Sequence, residues 1–294
     1  MNECELTEDI QQYPIKPKNG IHSNNQSNEG FERIYKKIDF VKPHESTYKD
    51  AISIAKIVVY TCITGEYDIL REVEQPEDGI DYICFTDQKI ESNTWRINPI
   101  PEFLDSFEPA KIARCIKILP HIFLPEYNIS VWVDGNIQVL GNIIELINVN
   151  LKNYFAIPKH PDRICVYEEG RAAIDLKKDE ESTINNQLKI YKKKKYPENY
   201  GMVQSGILIR KHNDQRSIAV CTGWWNEVRQ FSKRDQISFN YSIWKKNVII
   251  DIMNPNLIVS KYFQIWRHIN KGSQKSSLKR GYGDLKNYIN GVEV

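Results

Sequence analysis

Three apolar runs that each stop abruptly on small polar residues constrain this chain more than any other feature. Ile54–Tyr60 (IAKIVVY) is a β-branched run that ends at Thr61-Cys-Ile-Thr-Gly65. Ile80–Phe85 (IDYICF) ends at Thr86-Asp87, and Ser130–Val133 (SVWV) ends at Asp134-Gly-Asn136. Continuous apolar runs of this length suit strands covered on both faces, which is the situation of a parallel sheet. Between them the period changes. Ile112–Phe123 carries apolar residues at helical spacing and predicts a helix broken at Pro120. Ile137–Leu151 reads as helical after a brief extended piece, and Tyr154–Ile157 and Ser205–Ile209 as further strands. Trp224–Phe231 and Gln236–Trp244 read as helices, with Val248–Ile252 a late strand. Strands alternating with helices predict an α/β sandwich with a mainly parallel sheet, whose ligands bind beyond the carboxyl ends of the strands. Polar residues collect at those ends here.

Composition narrows the function classes. The 294 residues are 41% hydrophobic and 27% charged, an ordinary globular balance. Forty Lys+Arg against 38 Asp+Glu give +2, too little for a general nucleic-acid-binding field. The six cysteines are scattered, form no CxxC pair and in part sit in apolar runs, so buried thiols in a reducing, cytoplasmic compartment are expected. MNECELTEDI lacks the apolar core of a signal peptide, and no stretch of about 18 apolar residues predicts a membrane span. Residues 1–50 read as a polar leader and 273–294 as a mixed tail. Lys189–Lys195, with five lysines in seven residues, reads as a solvated stretch that could also touch anionic lipid at the inner face of a membrane.

Several residues have two readings. Asp134 and Asn136 supply oxygens two residues apart, fit for a hard divalent cation bridging to phosphates, yet Asp-Gly-Asn is also an ordinary turn. Arg114 and Lys117 share a helix face and could meet phosphate oxygens, or be a solvated basic face. His160, Arg163, Tyr167 and Glu168 lie within ten residues, as an acceptor-binding or a structural cluster. Asp235 could be a helix cap, and Trp224-Trp225 core or a stacking surface. The P-loop, GxGxxG and GxSxG patterns are missing from the sequence, which weakens P-loop, dinucleotide-binding and serine-hydrolase readings.

Taken in order, YTCITGEYD (60–68), DYICFTD (81–87), ARCIKILPHIFLPEYN (113–128), VWVDGN (131–136), HPDRICVYEE (160–169), SGILIRKHN (205–213) and RDQISF (234–239) resemble a glycosyltransferase-like domain. That domain, once of unknown function, occurs in plant cell-wall proteins and bacterial polysaccharide loci. The resemblance runs from about Ile54 to about Ile252. It implies a GT-A-like single Rossmann-type α/β/α sandwich over residues 51–272, related to retaining galactosyltransferases and glycogenin-like enzymes.

The same resemblance implies a nucleotide-sugar donor, with uridine the commonest base, and a divalent cation, Mn2+ or Mg2+. It puts Thr61, Thr64, Tyr67 and Asp87 near base and ribose, and Arg114, Lys117 and Lys271 near the sugar and phosphates. Asp134, Asn136 and His268 take the metal positions. Asp235 and Gln236 take those at the donor sugar, with Arg114 assisting catalysis. Asn136 stands where the second aspartate of the usual motif would be, so donor pyrophosphate would supply more of the ligand field. The implied acceptor is a glycan or lipid-linked glycan, and retention of configuration is the expectation; inversion would need a base such as Asp235 or Glu168. A non-catalytic nucleotide- or glycan-binding module and a nucleotidyltransferase are the competing classes.

Overall fold

The computed structural model describes residues 55–268. The leader 1–50, the tail 273–294 and Lys271 lie outside the described residues.

Seven strands form one sheet: β1 (Ile57–Ile63), β2 (Ile80–Thr86), β3 (Arg96–Pro99), β4 (Ile129–Val133), β6 (Phe155–Pro158), β7 (Ile207–Arg210) and β8 (Asp251–Met253). Their spatial order is β3-β2-β1-β4-β7-β6-β8. β3, β2, β1 and β4 pair in parallel, as do β6 and β8, whereas β7 is antiparallel to both neighbours. Six strands therefore point one way and β7 alone is reversed. The expected mainly parallel sheet is present, and its exception matters for the site. β7 begins at the edge where the other strands end, so Ser205 and Gly206 arrive beside Asp134, whose amide donates to the Gly206 carbonyl at 2.9 Å.

One sheet face carries Val59, Ile63, Val131 and Ile209, packed against α3 (Ile143–Asn150) and a two-stranded sheet of β5 (Ile137–Val139) and β9 (Phe263–Ile265). On the other lie Tyr60, Trp132, Phe155 and Arg210. Helices α1 (Pro109–Ile118), α2 (Pro120–Phe123), α6 (Gln215–Gln230) and α7 (Asp235–Lys246) cover that face. Phe239 of α7 meets Phe155 and Trp224 with ring centroids 5.9 and 4.8 Å apart. Trp224 and Trp225 are core residues. A satellite core joins α4 (Val166–Asp175), α5 (Glu181–Lys193) and α7 through Tyr167, Leu188, Tyr191 and Tyr241.

Local chemistry accounts for the element ends. Pro109 opens α1 at a position that needs no N–H donor, and Pro120 interrupts its continuation. The carbonyls stranded at that break are covered by a buried arginine: Arg210 donates to the Lys117 and Ile118 carbonyls and to the Tyr60 hydroxyl, which itself donates to Lys117 O at 2.7 Å. Asp214 caps α6 by accepting from Arg216 N at 2.8 Å, and α7 closes on Asn247 in the left-handed conformation. The five described cysteines are buried thiols, as expected.

Candidate donor site at the strand ends

The carboxyl ends of β1, β2 and β4 meet as their polar termini predict. Asp87, after β2, accepts the Gly65 amide on both oxygens at 3.2 and 2.9 Å. Gly135 lets the loop after β4 lie against β1: a Cβ there would come within 2.9 Å of Ile63 Cγ1 and 3.4 Å of Asp68 Cβ. Its role is this close approach.

Six side chains from four segments build the centre. Lys117 is 1% exposed; its Nζ lies 2.6 Å from Asp235 Oδ2, 2.9 Å from Ser205 Oγ and 3.5 Å from Asp134 Oδ1. Arg114 Nε is 3.1 Å from Asp235 Oδ1. Ser205 donates to Asp235 Oδ2 at 2.8 Å, and Trp132 Nε1 donates to Asp134 Oδ1 at 2.8 Å. Arg114 and Lys117 are thus no solvated basic face. The helix turns both inward because two carboxylates wait there.

The two aspartates differ sharply. Asp235 is 2% exposed and both its oxygens are engaged. Burial raises its pKa, but Arg114 and then Lys117 outweigh that and hold the carboxyl well below the usual carboxylate range. Burial lowers the Lys117 ammonium from its ordinary value against the pull of Asp134 and Asp235, while for Arg114 the pull of Asp235 and Asp134 wins over burial. Asp235 therefore sits behind the site, with both oxygens held in ion pairs. It is not a helix cap, since Arg234 occupies that position. Asp134 is 33% exposed, and its two described polar contacts both fall on Oδ1, leaving Oδ2 beside the bare Cα of Gly206.

The remaining predicted residues divide. Tyr67 is exposed, with its ring centroid 4.9 Å from that of His268, and Asp87 is exposed as well. Thr61 is buried inside β1, and Thr64 is buried with its hydroxyl on Pro109 O at 2.8 Å, so neither presents a hydroxyl to a nucleotide. Gln236 is partly exposed and held at both ends, donating to Val203 O at 3.2 Å and accepting from Arg234 at 3.4 Å. Asn136 is buried, and its amide donates to Trp266 O at 3.0 Å. It fastens the segment after β9 and is no counterpart of the partly exposed Asp134. His268 Nδ1 lies 3.0 Å from Asp68 Oδ1, which leaves Nε2 open. A carboxylate orienting one imidazole nitrogen is how metal-ligating histidines are commonly set.

Asp68, absent from the sequence expectations, closes the quoted YTCITGEYD segment, and its Cβ lies against Gly135, the residue after Asp134. Among the described residues no three His, Cys, Asp or Glu side chains converge as a cage. The donor set fits a hard cation held mainly by its substrate: Asp134 and the open nitrogen of His268 from the protein, phosphate oxygens and water for the rest.

In the cluster after β6 the structure selects Glu169 over Glu168. Arg163 Nε lies 2.7 Å from Glu169 Oε2, and His160 Nε2 lies 3.6 Å from the same oxygen. Glu168 is partly exposed, and Tyr167 donates to Tyr196 O at 2.9 Å inside the satellite core. Neither joins His160 and Arg163.

A family model described as "TOD1/MUCI70, glycosyltransferase-like domain" matches residues 25–258. The chain belongs to this family. It is 24% identical over 243 residues to a probable hexosyltransferase, MUCI70, of Arabidopsis thaliana, covering 70% of this chain and 42% of that protein. It is 26% identical over 181 residues to the alkaline ceramidase TOD1 of the same plant, covering 57% and 37%. The chain thus spans less than half the length of either curated relative. Among solved structures it is similar to the apo bifunctional glycosyltransferase WbbM (TM-score 0.44, 11% identity, 68% of this chain and 39% of that one). Apo mouse xyloside xylosyltransferase 1 is also similar (TM-score 0.40, 9%, 68% and 84%). These scores are too low to bear on the site.

Proposed function

We propose that this glycosyltransferase-like domain transfers a hexosyl group from a nucleotide-sugar donor, a uridine diphosphate sugar first among those to test, to a glycan or lipid-linked glycan. The observation that carries this reading is the pairing of a partly exposed carboxylate, Asp134, with two cations, Arg114 and Lys117, that Asp235 anchors from behind. Such a centre has a place for a cation and, in the partly exposed Arg114, a fixed guanidinium for a diphosphate leaving group. Asp134 and His268 would hold a divalent cation, Mn2+ or Mg2+, whose chemistry is to neutralise charge on the departing diphosphate.

This chain's own residues do the rest. Arg114, partly exposed, meets the phosphate or sugar oxygens. Lys117 fixes Asp134 in place. Tyr67 and Asp87 border the base and ribose. Gln236 presents its amide, fixed at both ends, to the donor sugar. Asp235, locked in two ion pairs, is not free to serve as the acceptor base, and the reading adopted is retention, with attack from the leaving-group face.

The ceramidase name of one relative raises amide hydrolysis as a second reading, because Ser205 and Lys117 lie 2.9 Å apart like a nucleophile and its base. The pair is spent otherwise. The Ser205 proton is donated to Asp235, and the Lys117 ammonium rests between two carboxylates. A serine nucleophile needs a base with room for its proton.

The test measures nucleoside diphosphate released from a panel of sugar nucleotides, with Mn2+, Mg2+ or chelator, by wild type and Asp134→Ala. Release from one base class, lost on chelation and cut at least ~100-fold in Asp134→Ala, is the expected result. Folded protein that releases nothing from any sugar nucleotide yet cleaves an amide substrate would replace this reading with the second.

A further inference from the structure

The Arg163–Glu169 pair has a third charged neighbour, which ties it to the donor centre. Arg234, the residue before Asp235, places a terminal guanidinium nitrogen 4.0 Å from Glu169 Oε1 and donates to Gln236 Oε1 at 3.4 Å. Two arginines therefore share one buried carboxylate. The nearby histidine adds no charge: His160 Nδ1 accepts the Asp162 and Arg163 amides at 3.1 Å each, and burial, then Arg163, lower its pKa to about 4. In this cluster two cations, Arg163 and Arg234, face one carboxylate, Glu169. The surplus falls on Arg234, whose contact with Glu169 is the looser of the two, 4.0 Å against 2.7 Å for Arg163.

The surroundings suit a sugar. Arg163 and Arg234 are 28% and 26% exposed, so both reach solvent. The Gly201 amide donates to Ile164 O at 3.0 Å, which sets Tyr200 beside the residue that follows Arg163. Both Tyr200 and Ile164 are exposed, giving an apolar surface for the face of a pyranose ring.

We propose that Arg163 and Arg234 form an acceptor subsite for an acidic sugar, binding the carboxylate of a uronic acid residue or the phosphate of a lipid-linked sugar beside Gln236. Planar guanidinium forks match either anion in a bidentate way. The proposal rests on the transferase reading above, because it takes Gln236 to mark the donor sugar.

The experiment titrates three probes into protein saturated with UDP and Mn2+: a uronic acid trisaccharide, the same trisaccharide with its carboxyls reduced to alcohols, and inorganic phosphate. Saturation keeps phosphate out of the donor site. Wild type binds the acidic trisaccharide or phosphate at least about tenfold more tightly than the reduced form, and Arg234→Gln abolishes that preference while leaving UDP affinity unchanged. Arg234→Lys, which keeps the charge and loses the fork, restores part of the preference and serves equally if the glutamine variant does not fold. Preference for the trisaccharide alone identifies a uronate acceptor, and preference for phosphate alone a phosphorylated one. Equal affinity for the acidic and reduced forms with no phosphate binding, or a preference that survives in Arg234→Gln, overturns the subsite. If UDP itself does not bind, the donor reading fails separately, and the same probes titrated without nucleotide still decide the subsite.

Discussion

One residue, Lys117, joins two polar centres built on opposite principles. Its ammonium enters the donor site, where Asp235, Asp134 and Ser205 receive it. Its carbonyl ends in a dry pocket, where buried Arg210 meets Tyr60, two helix carbonyls and the Cys221 thiol. The first centre matches cations with carboxylates and opens to solvent at Asp134. In the second, the terminal nitrogens of a cation meet the negative end of a broken helix, and the neighbouring histidines are held neutral. Burial, and then the Arg210 charge, lower the pKa of His121 to about 4 and of His212 to about 3. A buried cation is therefore no sign of a site by itself. What separates the two is whether a charged group within the cluster remains accessible.

Breaking the charge match should have the largest effect. Asp235→Asn leaves Lys117 and Arg114 without their closest carboxylate, and a loss of about 3–5 kcal/mol in chemical denaturation is expected, together with loss of transfer activity. Arg210→Met should be milder, about 2 kcal/mol, because it strands carbonyls and removes an unpaired charge at once, and the folded variant should bind nucleotide normally. A stable, active Asp235→Asn protein would break the contrast between the centres.

Acid should separate them next. The folded pKa values of His121 and His212 lie below the unfolded value of about 6.5, so the unfolded chain takes up protons first and stability falls as the pH drops from about 6.5 toward 4. The upper bound is about 3 kcal/mol for His121 and about 5 kcal/mol for His212, and His121→Leu, which removes a ring with two unpartnered nitrogens, should flatten that slope in a pH series of denaturation midpoints. The depressed carboxyl of Asp235 acts lower. Its contribution is complete above the unfolded carboxylate pKa of about 3.9 and is lost only as pH falls further, toward the folded value. An unchanged slope in His121→Leu would mean that the dry pocket does not set the acid response.

The smallest effects sharpen the boundary. Tyr60→Phe and Ser205→Ala each remove one buried hydroxyl, for about 1 kcal/mol. Sugar-nucleotide turnover should fall in Ser205→Ala alone, since Ser205 braces Lys117 and Asp235 whereas Tyr60 lies wholly in the dry pocket.

Much of the frame was legible in the sequence, because apolar runs that stop on polar residues fix strands and strand ends together. The helix break at Pro120 and the partly exposed Asp134 follow from local chemistry in the same way. Less could be read where tertiary contacts decide. Lys117 reads as surface by residue type, although apolar Cys115, Ile116, Ile118 and Leu119 around it are a signal that its face is buried. Ser205 enters the site only because β7 is reversed, and strand direction is not written in a four-residue run. Glu169 replaces Glu168 through about 100° of helix rotation, a distinction that needs the helix start. Asn136 is placed by Trp266, 130 positions away, a long-range pairing that no spacing rule near DGN reveals. Asp68 was in view at the end of its segment, but its partner His268 lies 200 residues on.

The most direct test of the central claim, that the charge-matched centre at Asp134 is a donor site and the Arg210 pocket is structural, is a calorimetric titration of UDP with Mn2+ into wild type, Asp134→Ala and Arg210→Met. Wild type and Arg210→Met should bind with equal affinity, and Asp134→Ala more weakly by 30-fold or more, as loss of a charge contact worth about 2–5 kcal/mol requires. Equal binding by wild type and Asp134→Ala, or binding lost only in a folded Arg210→Met, would contradict it.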